Sequence, residues 1–178
     1  SSFAGAQVVY DEHTQAELIS ENKSIRPGRP FWVAVRLTTA PHWHTYWQNS
    51  GEAALPTKIS WQLPEGWMVS SLNWPPPTKL IEKDGRVTYG YKNEVLLWAN
   101  LFAPDIIPKE TQKVKFSTKI SLLVCKDICV PGEQLVELEV PFSETLAEQA
   151  SDKISYFNEY SLLTPRKSEQ VADLKNIS

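Results

Sequence analysis

Cysteine is almost missing from this chain: there are two in 178 residues, Cys125 and Cys129. So small a supply excludes a disulfide scaffold in which several bridges substitute for a core. No such scaffold is required, because a chain of this length buries roughly 70% of its unfolded surface on folding. Basic charge is not in excess either. The net charge is −3 and the isoelectric point is near 5.7, which argues against nucleic acid as a partner, since phosphate binding needs a basic face. No apolar run approaches the roughly 20 residues of a membrane-spanning helix. The opening Ser1-Ser2-Phe3-Ala4-Gly5-Ala6 has no signal-peptide pattern and reads as the start of a mature or trimmed chain, which leaves an exported origin open. What is plentiful is proline, with 13 residues, and tryptophan, with 7. Proline at that level breaks a chain into short segments and disfavours long helices.

Between the breaks the dominant pattern is alternation. Phe31, Val33, Val35 and Leu37 share one face, opposite Trp32, Ala34, Arg36 and Thr38. Val95, Leu97, Ala99 and Leu101 alternate with Leu96, Trp98, Asn100 and Phe102, and Val114, Phe116, Thr118, Ile120, Leu122 and Val124 with Lys115, Ser117, Lys119 and Ser121. Val136, Leu138 and Val140 repeat the pattern. A period of two marks half-buried strands. Shorter candidates are residues 7–10, 16–20, 58–63, 68–72 and 87–89. Turn chemistry such as Arg26-Pro27-Gly28, Trp74-Pro75-Pro76-Pro77 and Asp84-Gly85 separates them. Many short strands with turns between them predict an all-β antiparallel sandwich over residues 1–142. The texture changes in residues 143–178. Ser143 is placed to cap a helix carrying Leu146, Ala150, Ile154 and Phe157, followed by a polar tail or linker from Thr164.

The two cysteines lie four positions apart in Val124-Cys125-Lys126-Asp127-Ile128-Cys129-Val130-Pro131-Gly132. A disulfide needs its α-carbons roughly 4.4–6.8 Å apart, whereas four residues of straight strand separate them by about 13 Å. The pair can bond only if Lys126, Asp127 and Ile128 turn, and Asp is a good turn residue. The flanking alternation puts that turn at a hairpin tip, where a partner protein can reach it. A small loop closed by a disulfide removes little unfolded-state entropy, which favours chemistry over stapling. The spacing alone leaves a redox pair, a static staple and a metal site open. It excludes the inter-sheet disulfide of immunoglobulin domains, whose cysteines lie on opposite sheets.

The other dense segment is Pro41-His42-Trp43-His44-Thr45-Tyr46-Trp47. In extended backbone His42, His44 and Tyr46 share a face. Two histidines with two thiols suit copper(I) or zinc if the hairpin tip and this strand meet, although H-x-H alone is a weak signal. The plain alternative is a polar strand end with aromatic packing. Trp61, Trp67, Trp74 and Trp98 read as packing residues. Residues 84–91 read as a turn entering a strand, and their two tyrosines and Gly90 also suit a mobile loop over a reactive site.

Several of these pieces occur together: His42-Trp43-His44-Thr45-Tyr46-Trp47, Leu55-Pro56-Thr57, Leu63-Pro64-Glu65-Gly66-Trp67, Trp74-Pro75, Tyr89-Gly90-Tyr91 and the two cysteines with Val130-Pro131-Gly132. In combination they resemble the N-terminal periplasmic domain of the DsbD/ScsB family of inner-membrane thiol–disulfide reductases, over residues 31–140. The resemblance implies an immunoglobulin-like sandwich with Cys125 and Cys129 as the catalytic pair and no cofactor. It implies a cap loop over them at residues 85–91, including Thr88, Tyr89, Gly90 and Tyr91. His44 and Tyr46 would line the site. Electrons would come from a membrane domain, in the same or another chain. They would pass to thioredoxin-like periplasmic proteins of the disulfide isomerase or cytochrome c maturation type. The better-known members place more residues between their cysteines than the three found here, a spacing the ScsB-like branch shares. The residues before Tyr89 also differ. Two other classes stay distinguishable: a copper- or zinc-binding module using the cysteines with His42 and His44, and a scaffolding sandwich that needs no thiols.

Overall fold

In the computed structural model the alternating segments become two antiparallel sheets packed face to face, described for residues 8–10, 12–52, 54–142 and 150–163. The first sheet has the order β1-β2-β3-β9-β6, built from Val8–Tyr10, Thr14–Ser20, Pro30–Thr39, Glu94–Phe102 and Met68–Val69. The second has the order β11-β10-β4-β8-β7, from Cys129–Pro141, Lys113–Cys125, His44–Gly51, Val87–Lys92 and Thr78–Ile81. Strand β5, Lys58–Gln62, pairs with the middle of β10. Every pairing between named strands is antiparallel. The architecture is the antiparallel sandwich that the alternation predicts, of the immunoglobulin-like type that the family resemblance implies.

The core lies between the sheets. Val33, Val35 and Leu37 of β3 and Leu97 and Leu101 of β9 meet Phe116, Ile120 and Leu122 of β10 and Val136 of β11. Trp67 stands edge-on to Phe116 at 4.8 Å between ring centres and closes one end. Each such side chain contributes about 1.5–3 kcal/mol when fully buried, so this layer holds the sandwich without help from the disulfide.

The outward residues of the first sheet are apolar too. Ile19, Ala34, Leu96 and Trp98 form a second buried cluster, covered by Phe157 of α1, Ile154–Leu163. Phe157 is fully buried, with its ring 6.0 Å from that of Trp98. Polar contacts frame the cluster. Arg36 bonds Glu94 at 2.6 Å, reaches Glu17 at 3.5 Å and lies under the Tyr156 ring at 4.7 Å.

Two expectations change here. Residues 68–72 are not one strand: only Met68 and Val69 pair fully with β9, and the chain then follows β9 through Ser70 N–H to Asn100 O and an isolated Asn73–Trp98 pair. The helix starts later than the apolar spacing indicates. Ala150 is not helical but pairs with Asn22, and the Ser151 side chain accepts from Lys153 N–H just ahead of α1. Ser143, Leu146 and residues 164–178 lie outside the described residues.

Candidate functional site

The β10–β11 hairpin brings the cysteines together. Its ladder runs without interruption from the Lys113–Pro141 pair to the Cys125–Cys129 pair, so the two cysteines stand directly opposite each other at its end. Lys126, Asp127 and Ile128 form the connecting turn, closed by Lys126 N–H donating to Ile128 O at 3.0 Å. The α-carbons are 4.1 Å apart and the sulfurs are joined. The two residues differ in access: Cys125 is 1% exposed, whereas Cys129 is exposed.

Strand parity decides what Cys125 faces. Val124 and Leu122 point into the core, so Cys125 points to the outer face of the second sheet. There it pairs across the ladder with His44 of β4. Tyr46 follows on the same face, paired with Gly90, and Thr88 of β8 lies beside Leu80 of β7. Gly90 permits this arrangement: a β-carbon there would lie 2.0 Å from Thr45 O, so any larger residue would push β8 off β4.

Glu82, just past the end of β7, unites these side chains. Its Oε1 accepts from Thr88 Oγ1 at 2.7 Å and from Tyr46 OH at 2.9 Å, and lies 3.1 Å from His44 Nε2. Nε2 is also 3.1 Å from the Tyr46 oxygen. Because the Tyr46 proton is committed to Glu82, Nε2 faces two acceptors and is the ring nitrogen that carries hydrogen. Burial acts to raise the Glu82 pKa. The hydrogen bonds from Thr88 and Tyr46 and the field of His44 outweigh it and hold the carboxyl below its usual range. Burial, followed by the bond to Glu82, pushes the Tyr46 phenol up from its ordinary value.

A cleft of about 400 Å³ opens beside the disulfide, lined among others by Tyr46, Glu82, Thr88, Ile128 and Cys129. Its far wall is the turn between β7 and β8, residues 82–86, closed by Glu82 N–H to Arg86 O at 2.9 Å. Gly85 takes the left-handed φ of 86° that this turn demands. Lys83 at its tip reaches Asp127 of the cysteine turn at 3.8 Å.

The segment expected to form a cap loop is mostly strand. Val87–Lys92 is a strand paired on both edges, with β4 and with β7, and the overhang is the turn that precedes it. Thr88 points into the site, and Tyr89 is 37% exposed on β8. Tyr91 lies in the core and donates its hydroxyl proton to Pro75 O at 2.7 Å. His42 does not join His44 on a strand face: it occupies the turn before β4 with φ of 70° and is exposed. No group of three or more metal-ligating side chains forms among the described residues.

A family model described as the N-terminal part of the thiol:disulfide interchange protein DsbD matches residues 15–141. The chain belongs to this family. Among solved structures, the N-terminal periplasmic domain of ScsB from Proteus mirabilis superposes with a TM-score of 0.63 at 20% identity, over 93% of this chain and 60% of that one. This chain thus spans 60% of the length of that ScsB chain. The reduced N-terminal domain of Neisseria meningitidis DsbD is also similar, with a TM-score of 0.37 and 12% identity over 76% of this chain and 90% of that chain. No curated protein sequence matches. The family is named for thiol:disulfide interchange, and the bonded Cys125–Cys129 pair is the kind of group on which such chemistry acts.

Glu82 escapes sequence reading. Within Ile81-Glu82-Lys83-Asp84-Gly85 it looks like one more charge in a solvated turn. Its one signal is parity: it shares a strand face with the buried Leu80, two residues earlier.

Proposed function

We propose that this chain is a periplasmic thiol–disulfide exchange domain that reduces thioredoxin-like proteins. The observation that carries this reading is the unequal access across one disulfide, with Cys129 at the surface and Cys125 beneath it. In the dithiol state the Cys129 thiolate attacks a disulfide sulfur of the partner, and one partner thiolate leaves. A mixed disulfide joins the two proteins. The Cys125 thiolate then attacks Cys129 Sγ, the second partner sulfur departs, and the partner leaves as a dithiol. Two electrons have moved to the partner and the domain is left oxidised. A membrane electron-donor domain, in the same or another chain, reduces it again through the same steps in reverse. The cysteines carry the electrons themselves, so the cycle needs no cofactor.

The test is trapping. A Cys125→Ser variant, reduced and mixed with an oxidised thioredoxin-fold protein, accumulates a covalent adduct through Cys129 that dithiothreitol dissolves. A Cys129→Ser variant accumulates far less. Equal trapping by both variants refutes the assigned order of attack. Absence of any adduct refutes the exchange reading.

A further inference from the structure

Resolution of the mixed disulfide presents a problem that the exchange reading leaves open. Cys125 must lose a proton although it is 1% exposed, so bulk water has little access to take it. At pH 7 a thiol of ordinary pKa, about 8.5, is only about 3% ionised. A neighbouring base is the remedy, and this face of the sheet contains one.

We propose that His44 accepts the proton of Cys125 as that thiol closes the disulfide, and that Glu82 holds the imidazole in the tautomer this requires. The proposal rests on the exchange reading above. Three observations support it. His44 and Cys125 are ladder partners on one face, which places their β-carbons about 4.5–5.5 Å apart. His44 Nε2 is turned to Glu82 and Tyr46, so it carries hydrogen and leaves Nδ1 as the basic lone pair. Among the described residues Nδ1 has no hydrogen-bond partner. In the disulfide form Cys125 has no proton to offer, so the Nδ1 contact belongs to the dithiol and mixed-disulfide states.

The groups facing His44 come from every neighbouring element. They are Cys125 from β10, Tyr46 from β4, Lys92 as its register partner on β8, and Glu82 from the turn after β7. Lys92 is exposed and screened by water, whereas Glu82 is in hydrogen-bond contact and favours the imidazolium that forms. The step balances. The Cys125 S–H proton moves to His44 Nδ1, and the thiolate bonds to Cys129 Sγ. The Cys129–partner bond breaks, and the departing partner thiolate takes its proton from the imidazolium or from water. In the reverse direction the imidazolium stabilises Cys125 as the leaving thiolate.

Glutathione disulfide is a sufficient probe, because the reduced domain consumes it in two separable phases. The first is glutathionylation of Cys129, measured alone in Cys125→Ser. The second is release of glutathione by Cys125. His44→Gln is expected to slow the second phase relative to the first about tenfold at neutral pH, within the range for one positioned base. That deficit closes as the pH passes the thiol's own pKa. Glu82→Gln is expected to slow the same phase about threefold, consistent with a positioning residue, and Glu82→Asp to restore part of it. The unmodified domain gives an independent readout by NMR: the ring 15N shifts of His44 report hydrogen on Nε2 and a bare Nδ1 in the dithiol state. Wild-type resolution kinetics in His44→Gln, or hydrogen on Nδ1 of the neutral ring in the dithiol state, overturn the proposal. Failure of the wild-type first phase instead refutes the exchange reading beneath it.

Discussion

The sandwich has two outer faces, and they are covered by opposite means. On the first sheet, Ile19, Ala34, Leu96 and Trp98 are sealed by the Phe157 ring of α1, with charged groups confined to the rim. On the second, His44, Tyr46 and Thr88 are brought together around a single carboxylate, next to Cys125, the ladder partner of His44. Apolar cover is non-directional and tolerant of small shifts, and it contributes to stability in proportion to area. A carboxylate held by three donors is directional and demands correct placement of each partner. The first face therefore stabilises by area, and the second fixes polar side chains in set orientations beside the disulfide. Substitutions on the two should fail in different ways.

The largest expected effect is on the stabilising face. Phe157→Ala removes the plug over Trp98 and should cost about 3–5 kcal/mol in urea unfolding, while thiol–disulfide exchange per folded molecule stays unchanged. A loss below about 1 kcal/mol would mean that α1 contributes little, and the contrast between the faces would collapse.

An intermediate effect is expected on the reactive face. Glu82→Gln should cost about 2 kcal/mol at neutral pH, as expected for hydrogen bonds to a charged group. Its dependence on pH carries the sharper test. The Glu82 pKa is depressed in the folded state, so its stabilisation is complete above the unfolded value of about 4.3. It disappears as the pH falls through the lower folded value. The gap between wild type and variant should therefore narrow in acid. A gap that stays constant from about pH 7 to about pH 2 would show that the carboxylate charge is not what Tyr46 and Thr88 stabilise.

The smallest effect concerns the contact between the two turns. Lys83 and Asp127 are both mostly solvent-exposed and 3.8 Å apart, so Lys83→Ala should change stability by less than about 0.5 kcal/mol. A larger, salt-sensitive change would identify the overhanging turn as fastened to the cysteine loop rather than resting beside it.

Sequence periodicity revealed most of the sandwich because a half-buried strand writes its two environments into alternate residues, as Phe31 to Leu37 and Val114 to Val124 do. The cysteine turn was equally legible, since three intervening residues allow bonding only if they turn, and the alternating flanks make that turn a hairpin tip. The reactive face was less so. His44, Tyr46 and Thr88 come from β4 and β8, and their meeting with Glu82 depends on how those strands pair. The helix was displaced because apolar spacing at Leu146 and Ala150 resembles a helical stripe, whereas Ala150 pairs with Asn22 and burial at Phe157 is what holds α1.

The long β10–β11 ladder has one more consequence. It ends at the sulfurs, and it is secured below them by β5 and by the core. Breaking the S–S bond therefore severs a link that the rest of the hairpin already makes redundant. The freed thiols remain neighbours at a very high local concentration, and ring closure is an intramolecular event with little left to organise. Opening and closing this bond therefore asks for no rebuilding of the frame beneath it.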